Sequence, residues 1–325
     1  MQRIRIKAST IATLVFPNIC LAQSTADYPL PSKPVRVIVS AGTGGGADIA
    51  ARMYAQKLSE ITKRSFVIDN RPGAGGTIGQ ALGAQAAPDG YTLLTVAPAF
   101  TFAPSLYQNL PFNPVKDFAP VSLVSKTLFM LVAHPSLPAR SVRELIALAR
   151  SRPGALNLSI TNGATNHLFA AYFTSAANIK VTFIPYKGGQ QDIMDMMAGH
   201  IHMTMGAMFT FLPYIKSGKA RALAITAAER SATQPDLPTM AESGLRGFEA
   251  SSWHGWLAPA GTPTAIVYRL SEDLARVVRS PDIAKRLADE GGVPVGSTPD
   301  QFRLLIAEEI ARWGKVVKDS GIRVE

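Results

Sequence analysis

Cysteine is almost absent from this chain, since Cys20 is the only one among 325 residues. The three residues before it, Pro17, Asn18 and Ile19, do not form a lipoprotein cleavage box. A chain that loses its first residues on export would therefore contain no thiol. This excludes disulfides, cysteine metal sites and a cysteine nucleophile from the mature protein.

Long hydrophobic runs are also absent. The apolar stretch Ile11–Leu21 is short and contains a proline and an asparagine, so it does not predict a membrane anchor. Three cations precede it: Arg3, Arg5 and Lys7. This arrangement is typical of a secretory signal, and we predict a signal peptide over residues 1–22, with cleavage after Ala22 or alternatively after Ala26.

Recognisable catalytic and metal-binding motifs are missing. The five histidines show no His-Glu-x-x-His spacing, and His200 and His202, two apart on a predicted strand, lack an evident third ligand. No Gly-x-Ser-x-Gly sequence occurs, and no pair of carboxylates stands out as acid and base. We predict a protein that is not an enzyme and that uses neither a metal nor a cofactor.

Acidic residues are in deficit, with 23 against 33 basic ones. Loss of the three leader cations leaves 30 basic side chains and a net charge of +7. That balance fits an anionic ligand or an acidic surface partner and does not select between them. The cations are scattered and form no basic helix, which disfavours nucleic acid as a partner.

The chain length and a hydrophobic content of 47% predict two lobes. In the first, predicted strands alternate with predicted helices, which indicates a mostly parallel sheet with helices on both faces. The strands are Pro34–Ser40, Phe66–Asp69 and Tyr91–Val96, and the helices are Asp48–Ile61 and Thr77–Ala86.

A second α/β series runs from Leu128 to Thr226, and amphipathic helices that we expect to pack on the first lobe end the chain. The predicted domains are residues 27–125 together with 252–325 as lobe 1, and residues 126–251 as lobe 2. Crossings near Val124–Lys126 and Ser251–Trp253 would form a hinge beside a cleft.

Loops of small residues precede four predicted helices, at 44–46, 73–76, 162–165 and 188–189. A helix start offers N–H groups and partial positive charge to an anion. The segment Gly42–Ala47 also imitates a dinucleotide fingerprint with Asp69 as its acid, and glycines that merely permit tight turns are the alternative. Four such loops at the carboxyl ends of strands predict an anion site in the cleft.

Seven segments occur in a specific order: VRVIVSAGTGGGADIAAR, DNRPGAGGTIG, APDGYTLL, PVKDFAPVSLV, PYKGG, GKARALAIT and APAGTP. Through them the chain resembles the substrate-binding proteins of tripartite tricarboxylate transporters, also called the Bug family, from Tyr28 to about Gly321. The resemblance implies a type II periplasmic-binding fold, an α/β fold whose two lobes close over a carboxylate or related solute. It also implies a periplasmic location and permease subunits or a sensor kinase as partner. We expect the protein to act as a monomer.

The resemblance implies ligand contacts in both lobes. Those in lobe 1 are Ala41, Gly44, Gly45, Gly46, Ala47, Asp48, Gly73, Ala74 and Gly75. Those in lobe 2 are Asn162, Gly163, Ala164, Thr165, Asn166, His167, Tyr186, Lys187, Gly206 and Ala207. We expect that Asp48 stabilises the start of its helix and does not contact the ligand. We expect that Arg71 forms a salt bridge within its lobe and does not bind a ligand carboxylate in bidentate fashion. Tyr186 and Lys187 could pair with ligand charge or only shape their turn.

The chain departs from the family at Met205-Gly206-Ala207, where Phe-Asp-Asn is common. Loss of an acid and of bulky groups predicts a roomier, more apolar pocket, suited to an anion with a bulky apolar or aromatic body. Repacking of the lobe is the alternative. Uptake by a tripartite tricarboxylate-type transporter is the predicted function, with a ligand sensor or, less favoured, an NAD-dependent oxidoreductase as alternatives.

Overall fold

The computed structural model describes residue 28 and residues 32–187, 191–289 and 291–320. The predicted signal peptide and the predicted loop at Gly188 and Gly189 lie outside the described residues. The described residues form two β-sheets, of six and five strands, with ten α-helices packed on them. The chain is therefore an α/β protein, as predicted.

The first sheet collects strands from both ends of the chain. They are β1 (Val35–Val39), β2 (Phe66–Asn70), β3 (Thr92–Val96), β4 (Phe118–Thr127), β10 (Ser252–Pro259) and β11 (Gly292–Pro294). Their order is β11-β4-β10-β3-β1-β2. Along β1, Val35 and Val37 belong to one core and Ile38 to another, so both faces of the sheet are buried.

The second sheet is built from the middle of the chain. Its strands are β5 (Phe129–Ala133), β6 (Asn157–Thr161), β7 (Thr182–Tyr186), β8 (Met203–Ala207) and β9 (Arg221–Ile225). Their order is β7-β6-β8-β5-β9. Along β5, Leu131 and Ala133 face one core and Met130 and Val132 the other, so this sheet is also covered on both faces.

The prediction of a mostly parallel sheet is correct for only three strands of each sheet. Strands β2, β1 and β3 pair in parallel, as do β7, β6 and β8. The pairings of β10 with β3 and β4, of β11 with β4, and of β5 with β8 and β9 are antiparallel. The reason is the route of the chain, since β4 runs directly into β5 of the other sheet and β10 returns against it.

The helices cover the sheets. They are α1 (Gly46–Thr62), α2 (Thr77–Ala84), α3 (Ala99–Leu106), α4 (Val142–Ser151), α5 (Thr165–Ala177), α6 (Gln191–Met197), α7 (Met208–Lys216), α8 (Thr264–Arg279), α9 (Pro281–Asp289) and α10 (Pro299–Ser320). The sequence did not predict α3 and α7. Each has an internal proline, Pro104 or Pro213, and few polar residues to mark an outer face.

The packing of the last helix differs from the prediction that the terminal helices pack on the first lobe. The first half of α10 packs on the first sheet through Phe302 and Ile306, but its second half joins the core of the second sheet. Trp313 stacks on Phe169 of α5, with ring centroids 5.5 Å apart, and meets Phe102 of α3 edge-on at 4.8 Å. The terminal helices thus do not pack on the first sheet alone, because α10 contacts the cores of both sheets.

The chain crosses between the sheets at two adjacent places. Strand β4 ends at Thr127, β5 begins at Phe129, and β10 begins at Ser252, which pairs with Thr127. Within the described ranges, no helix combines the length and the apolar character needed to cross a bilayer.

Candidate functional site

Parallel pairing brings six helix starts to two sheet edges. In the first sheet α1, α2 and α3 follow β1, β2 and β3, and in the second α5, α6 and α7 follow β6, β7 and β8. Parallel strands end at the same edge, so the three helices of each set begin side by side. The sequence predicted four of these starts and missed those of α3 and α7.

The two edges face each other. A Cβ atom on Gly163, before α5, would lie 3.2 Å from the Cα of Gly75, before α2. A Cβ atom on Gly46, at the start of α1, would lie 3.1 Å from the ring of Phe209 in the first turn of α7. The glycine loops of the two sheets therefore meet, and side chains at these positions would hold them apart.

The first loop, residues 40–45, is organised by Asp48, whose side chain is 2% exposed. Its carboxylate accepts hydrogen bonds from Gly44 N at 2.9 Å, Asn70 Nδ2 at 2.9 Å and Arg52 Nε at 3.0 Å. Burial acts to raise the pKa of Asp48, but these hydrogen bonds outweigh it and lower the pKa. Asn70 also donates to the carbonyl of Ala41 at 3.2 Å. Asp48 thus has its hydrogen-bonding partners within its own loop and helix and at the end of the neighbouring strand β2.

The second loop is held in a conformation that favours glycine. Residues 73–76 all have positive φ, with Ala74, at +46°, the one residue of the four that is not glycine. The carbonyl oxygen of Ala74 accepts from Thr77 Oγ1 and from Tyr107 Oη, both at 2.9 Å. Such backbone persists only where its surroundings fix it, and here the two hydroxyls do so.

The acid of the apparent dinucleotide fingerprint is already paired. Asp69 binds Arg36 at 2.5 Å and Arg71 at 2.9 Å. Burial acts to raise the pKa of Asp69, and the two arginines lower it below its ordinary value. The predicted salt bridge of Arg71 is confirmed, and the carboxylate of Asp69 is engaged by arginines of its own sheet.

In the second sheet, the loop 162–164 is fixed by the helix it precedes. Asn166 Oδ1 accepts from Thr161 N at 3.2 Å, and His167 Nδ1 accepts from Gly163 N at 3.3 Å. Burial lowers the pKa of His167, which keeps its ring neutral and able to accept. Asn162 is exposed, and Ala164 and Thr165 begin α5 beside Gly163. Asn166 and His167 thus support the loop from behind.

Tyr186 and Lys187 lie at the end of β7. Tyr186 Oη donates to Asp195 Oδ2 at 2.6 Å, and burial together with this carboxylate raises the pKa of Tyr186 to about 12. Lys187 is exposed and is the last described residue before the gap. The hydroxyl of Tyr186 therefore binds a carboxylate of its own lobe.

The predicted extra room at Gly206 is not found. A Cβ atom there would lie 2.4 Å from Cε2 of Phe211, a ring that is 3% exposed. The space left by the missing side chain is therefore filled from within the lobe, which is the repacking alternative. Ala207, which pairs with Phe129, and Phe209 remain half-buried near the facing loop.

No side chain caps the starts of α1, α2, α5 and α7. The N–H groups of a first helical turn have no partner four residues back in the helix. Three of them already donate to nearby carbonyl oxygens: Met208 N to Leu128 at 2.8 Å, His167 N to Ala164 at 3.1 Å, and Thr77 N to Ala74. The other N–H groups of these first turns are the ones open to a bound anion.

The structure brings most of the predicted residues together, in the loops before α1, α2, α5 and α7. Tyr107 and Phe209, which contact those loops across the two edges, were not predicted as site residues. Only the fold reveals Tyr107, because it lies 31 residues from Gly76 and 56 from Gly163 along the chain.

The histidines give no sign of a metal site. His202 Nδ1 accepts from Asn157 N at 2.9 Å, which is a structural role. Across the described ranges, no three residues among histidine, cysteine, aspartate and glutamate are grouped so as to hold a metal ion.

Comparison with known proteins identifies close relatives of this fold. The family model described as tripartite tricarboxylate transporter family receptor matches residues 50–322. The structure of R. palustris Rpa4515 with adipate is 36% identical, covers 90% of this chain and 99% of its own, and superposes with a TM-score of 0.86. Periplasmic binding protein BugD is 32% identical, with coverages of 91% and 99% and a TM-score of 0.84. MatC from Rhodopseudomonas palustris with bound malate is 30% identical, with coverages of 88% and 99% and a TM-score of 0.83.

Proposed function

The chain belongs to the tripartite tricarboxylate transporter receptor family, and on that premise we propose that it captures a small carboxylate between two lobes for uptake through a membrane permease. The family consists of periplasmic solute-binding receptors and not of enzymes. Two solved relatives were obtained with adipate and with malate, both carboxylates, which supports this ligand class.

The observation that carries the proposal is the meeting of uncapped helix starts from two sheets. Gly75 lies against Gly163, and Gly46 faces Phe209, so the first turns of helices from opposite sheets meet. Each start carries roughly half a positive charge on its free N–H groups. Arg71 is paired with Asp69 and Arg52 with Asp48, so the backbone amides are the donors that we assign to the carboxylate.

The two lobes of this proposal follow the predicted domains, 27–125 with 252–325 and 126–251. Closure would move one sheet against the other about the adjacent crossings at Thr127–Phe129 and Ser252. Closing removes water from around the anion, which strengthens each N–H···O contact.

The body of the ligand would lie against apolar surface. Ala207 and Phe209 provide that surface, whereas the predicted space beside Gly206 is taken by Phe211. The prediction of a bulky apolar or aromatic acid therefore rests on surface character and not on a larger pocket. Calorimetry with adipate, malate and benzoate compares their affinities for the protein. Tighter binding of malate than of both others would contradict an apolar site.

Mass spectrometry of the natively purified protein, followed by thermal unfolding with organic acids, tests the function. A ligand that binds only the folded state raises the melting temperature, by linkage with its affinity. We expect a carboxylate to raise it and the matched neutral amide, such as adipamide beside adipate, to leave it unchanged. Equal shifts with acid and amide would refute carboxylate capture. Pull-down of a permease or of a sensor kinase then identifies the partner.

A further inference from the structure

Tyr107 lies at the junction of the two facing edges. It follows α3, which the sequence did not predict, and its side chain is half-buried. Its hydroxyl donates to the carbonyl oxygen of Ala74 at 2.9 Å and so supports the second glycine loop from within the first sheet. This bond does not depend on the position of the second sheet.

The same hydroxyl also fills the space beside two glycines. A Cβ atom on Gly75 would lie 2.6 Å from Tyr107 Oη, and one on Gly163 only 2.4 Å from it. Both distances are far below van der Waals contact, so neither position admits a side chain in this arrangement. Gly163 belongs to the second sheet and Tyr107 to the first, so this contact joins the two.

We propose that Tyr107 is a positioning residue for lobe closure, whose hydroxyl forms with Gly75 a flat seat onto which Gly163 docks. The inference rests on the proposed function, since a seat of this kind matters only if the lobes open and close. It assigns to Gly163 a role apart from any ligand contact: the missing side chain lets the lobes approach to contact distance.

The proposal makes the effect of a methyl group depend on the state of the protein. With the lobes closed, the Cβ atom of Gly163→Ala overlaps the Tyr107 hydroxyl. With the lobes apart, it meets solvent. The substitution should therefore lower the closed population about tenfold or more, which is the effect of ordinary overpacking applied to one state only.

Backbone strain needs its own control, because Gly163 has φ +72° and alanine is strained there in both states. Gly154, in the same lobe, has φ +80° and nothing within 4 Å of its Cβ position. Gly154→Ala therefore carries the strain without the overlap. The double variant Tyr107→Ala with Gly163→Ala removes the overlap with the hydroxyl, leaves the 3.2 Å approach to the Cα atom of Gly75, and keeps the strain.

The interlobe distance is measured by pulsed electron spin resonance on spin labels attached at Ala147→Cys in α4 and Ala265→Cys in α8. Both positions are exposed and lie on helices of different sheets, and Cys20 in the predicted leader is the only native cysteine. Each variant is measured without ligand and with adipate as the probe.

We expect a short-distance population in the wild type and in Gly154→Ala, its loss in Gly163→Ala, and its return in the double variant. A Gly163→Ala protein that closes as fully as Gly154→Ala would overturn the proposal, as would a double variant that closes no more than Gly163→Ala alone. A wild type with one unchanging distance, while thermal shifts still report acid binding, would refute the seat and leave carboxylate capture standing. No response to any acid in either experiment would refute the function itself.

Discussion

Replacing Asp48 with asparagine is expected to destabilise the protein by about 2–3 kcal/mol, although the two side chains have nearly the same shape. The carboxylate is 2% exposed and accepts from Gly44 N, Asn70 Nδ2 and Arg52 Nε. An amide at this position has one oxygen and one NH2 group, so one buried donor must face another donor. Leaving such a donor unsatisfied costs about 1–3 kcal/mol, and loss of the exposed arginine pair adds up to about 1 kcal/mol.

The matched control is Arg52→Gln, which removes the half-exposed partner of Asp48 together with the hydrogen bond from that arginine to Asn70 Oδ1 at 2.8 Å. Urea unfolding at pH 7 should show a loss of about 2–3 kcal/mol for Asp48→Asn and under about 1 kcal/mol for Arg52→Gln. Because the folded protein lowers the pKa of Asp48, the stability from this group is present above pH 3.8 and is lost as pH falls through the folded value. Equal losses in the two variants would refute the view that Asp48 organises the first loop.

Three further outcomes follow from the same contacts. Trp313→Ala should cost about 3–5 kcal/mol in chemical unfolding, because the ring is 1% exposed between Phe102 and Phe169, and a cost below about 1 kcal/mol would show that this junction is not packed. Burial lowers the pKa of His254 from 6.5 to about 4, so stability should be full above pH 6.5 and fall by roughly 3 kcal/mol as pH drops toward 4; His254→Gln should flatten that dependence, and parallel profiles would contradict it. Arg71→Gln should leave acid affinity in calorimetry within about twofold of wild type, since its guanidinium is paired with Asp69, whereas a tenfold loss would support a direct carboxylate fork.

Local periodicity was enough to predict most of the regular structure. The helices Thr264–Arg279 and Pro281–Asp289 belong to the amphipathic series that the sequence predicted at the end of the chain, because each has a clear apolar face and a proline or serine at its ends. Helices α3 and α7 escaped prediction since they are apolar on most sides and contain proline. Packing against the sheets stabilises them, through Phe100 and Phe102 of α3 and Met208 and Phe211 of α7, and that is a tertiary effect which a sequence window does not show.

The sequence was enough to predict the glycine loops of the site, but not the contacts that those loops make with other residues in the folded chain. A run such as Gly73–Gly76 reveals a backbone of positive φ from composition alone. The neighbours that fill the space beside other glycines of the site are set by the fold: Tyr107, 56 residues away in the chain, lies beside Gly163, and Phe211, in the helix that follows β8, lies beside Gly206. The sequence left both a roomier pocket and repacking open at Gly206, and only the position of the Phe211 ring in the fold favours repacking there.

A crystal structure of the protein grown with adipate, or with whichever acid gives the largest thermal shift, tests the central claim most directly. We predict a carboxylate group that accepts hydrogen bonds from backbone N–H groups at helix starts of both sheets, between the loops that contain Gly46, Gly75 and Gly163. An acid held by arginine side chains, or by one sheet alone outside that gap, would contradict the account.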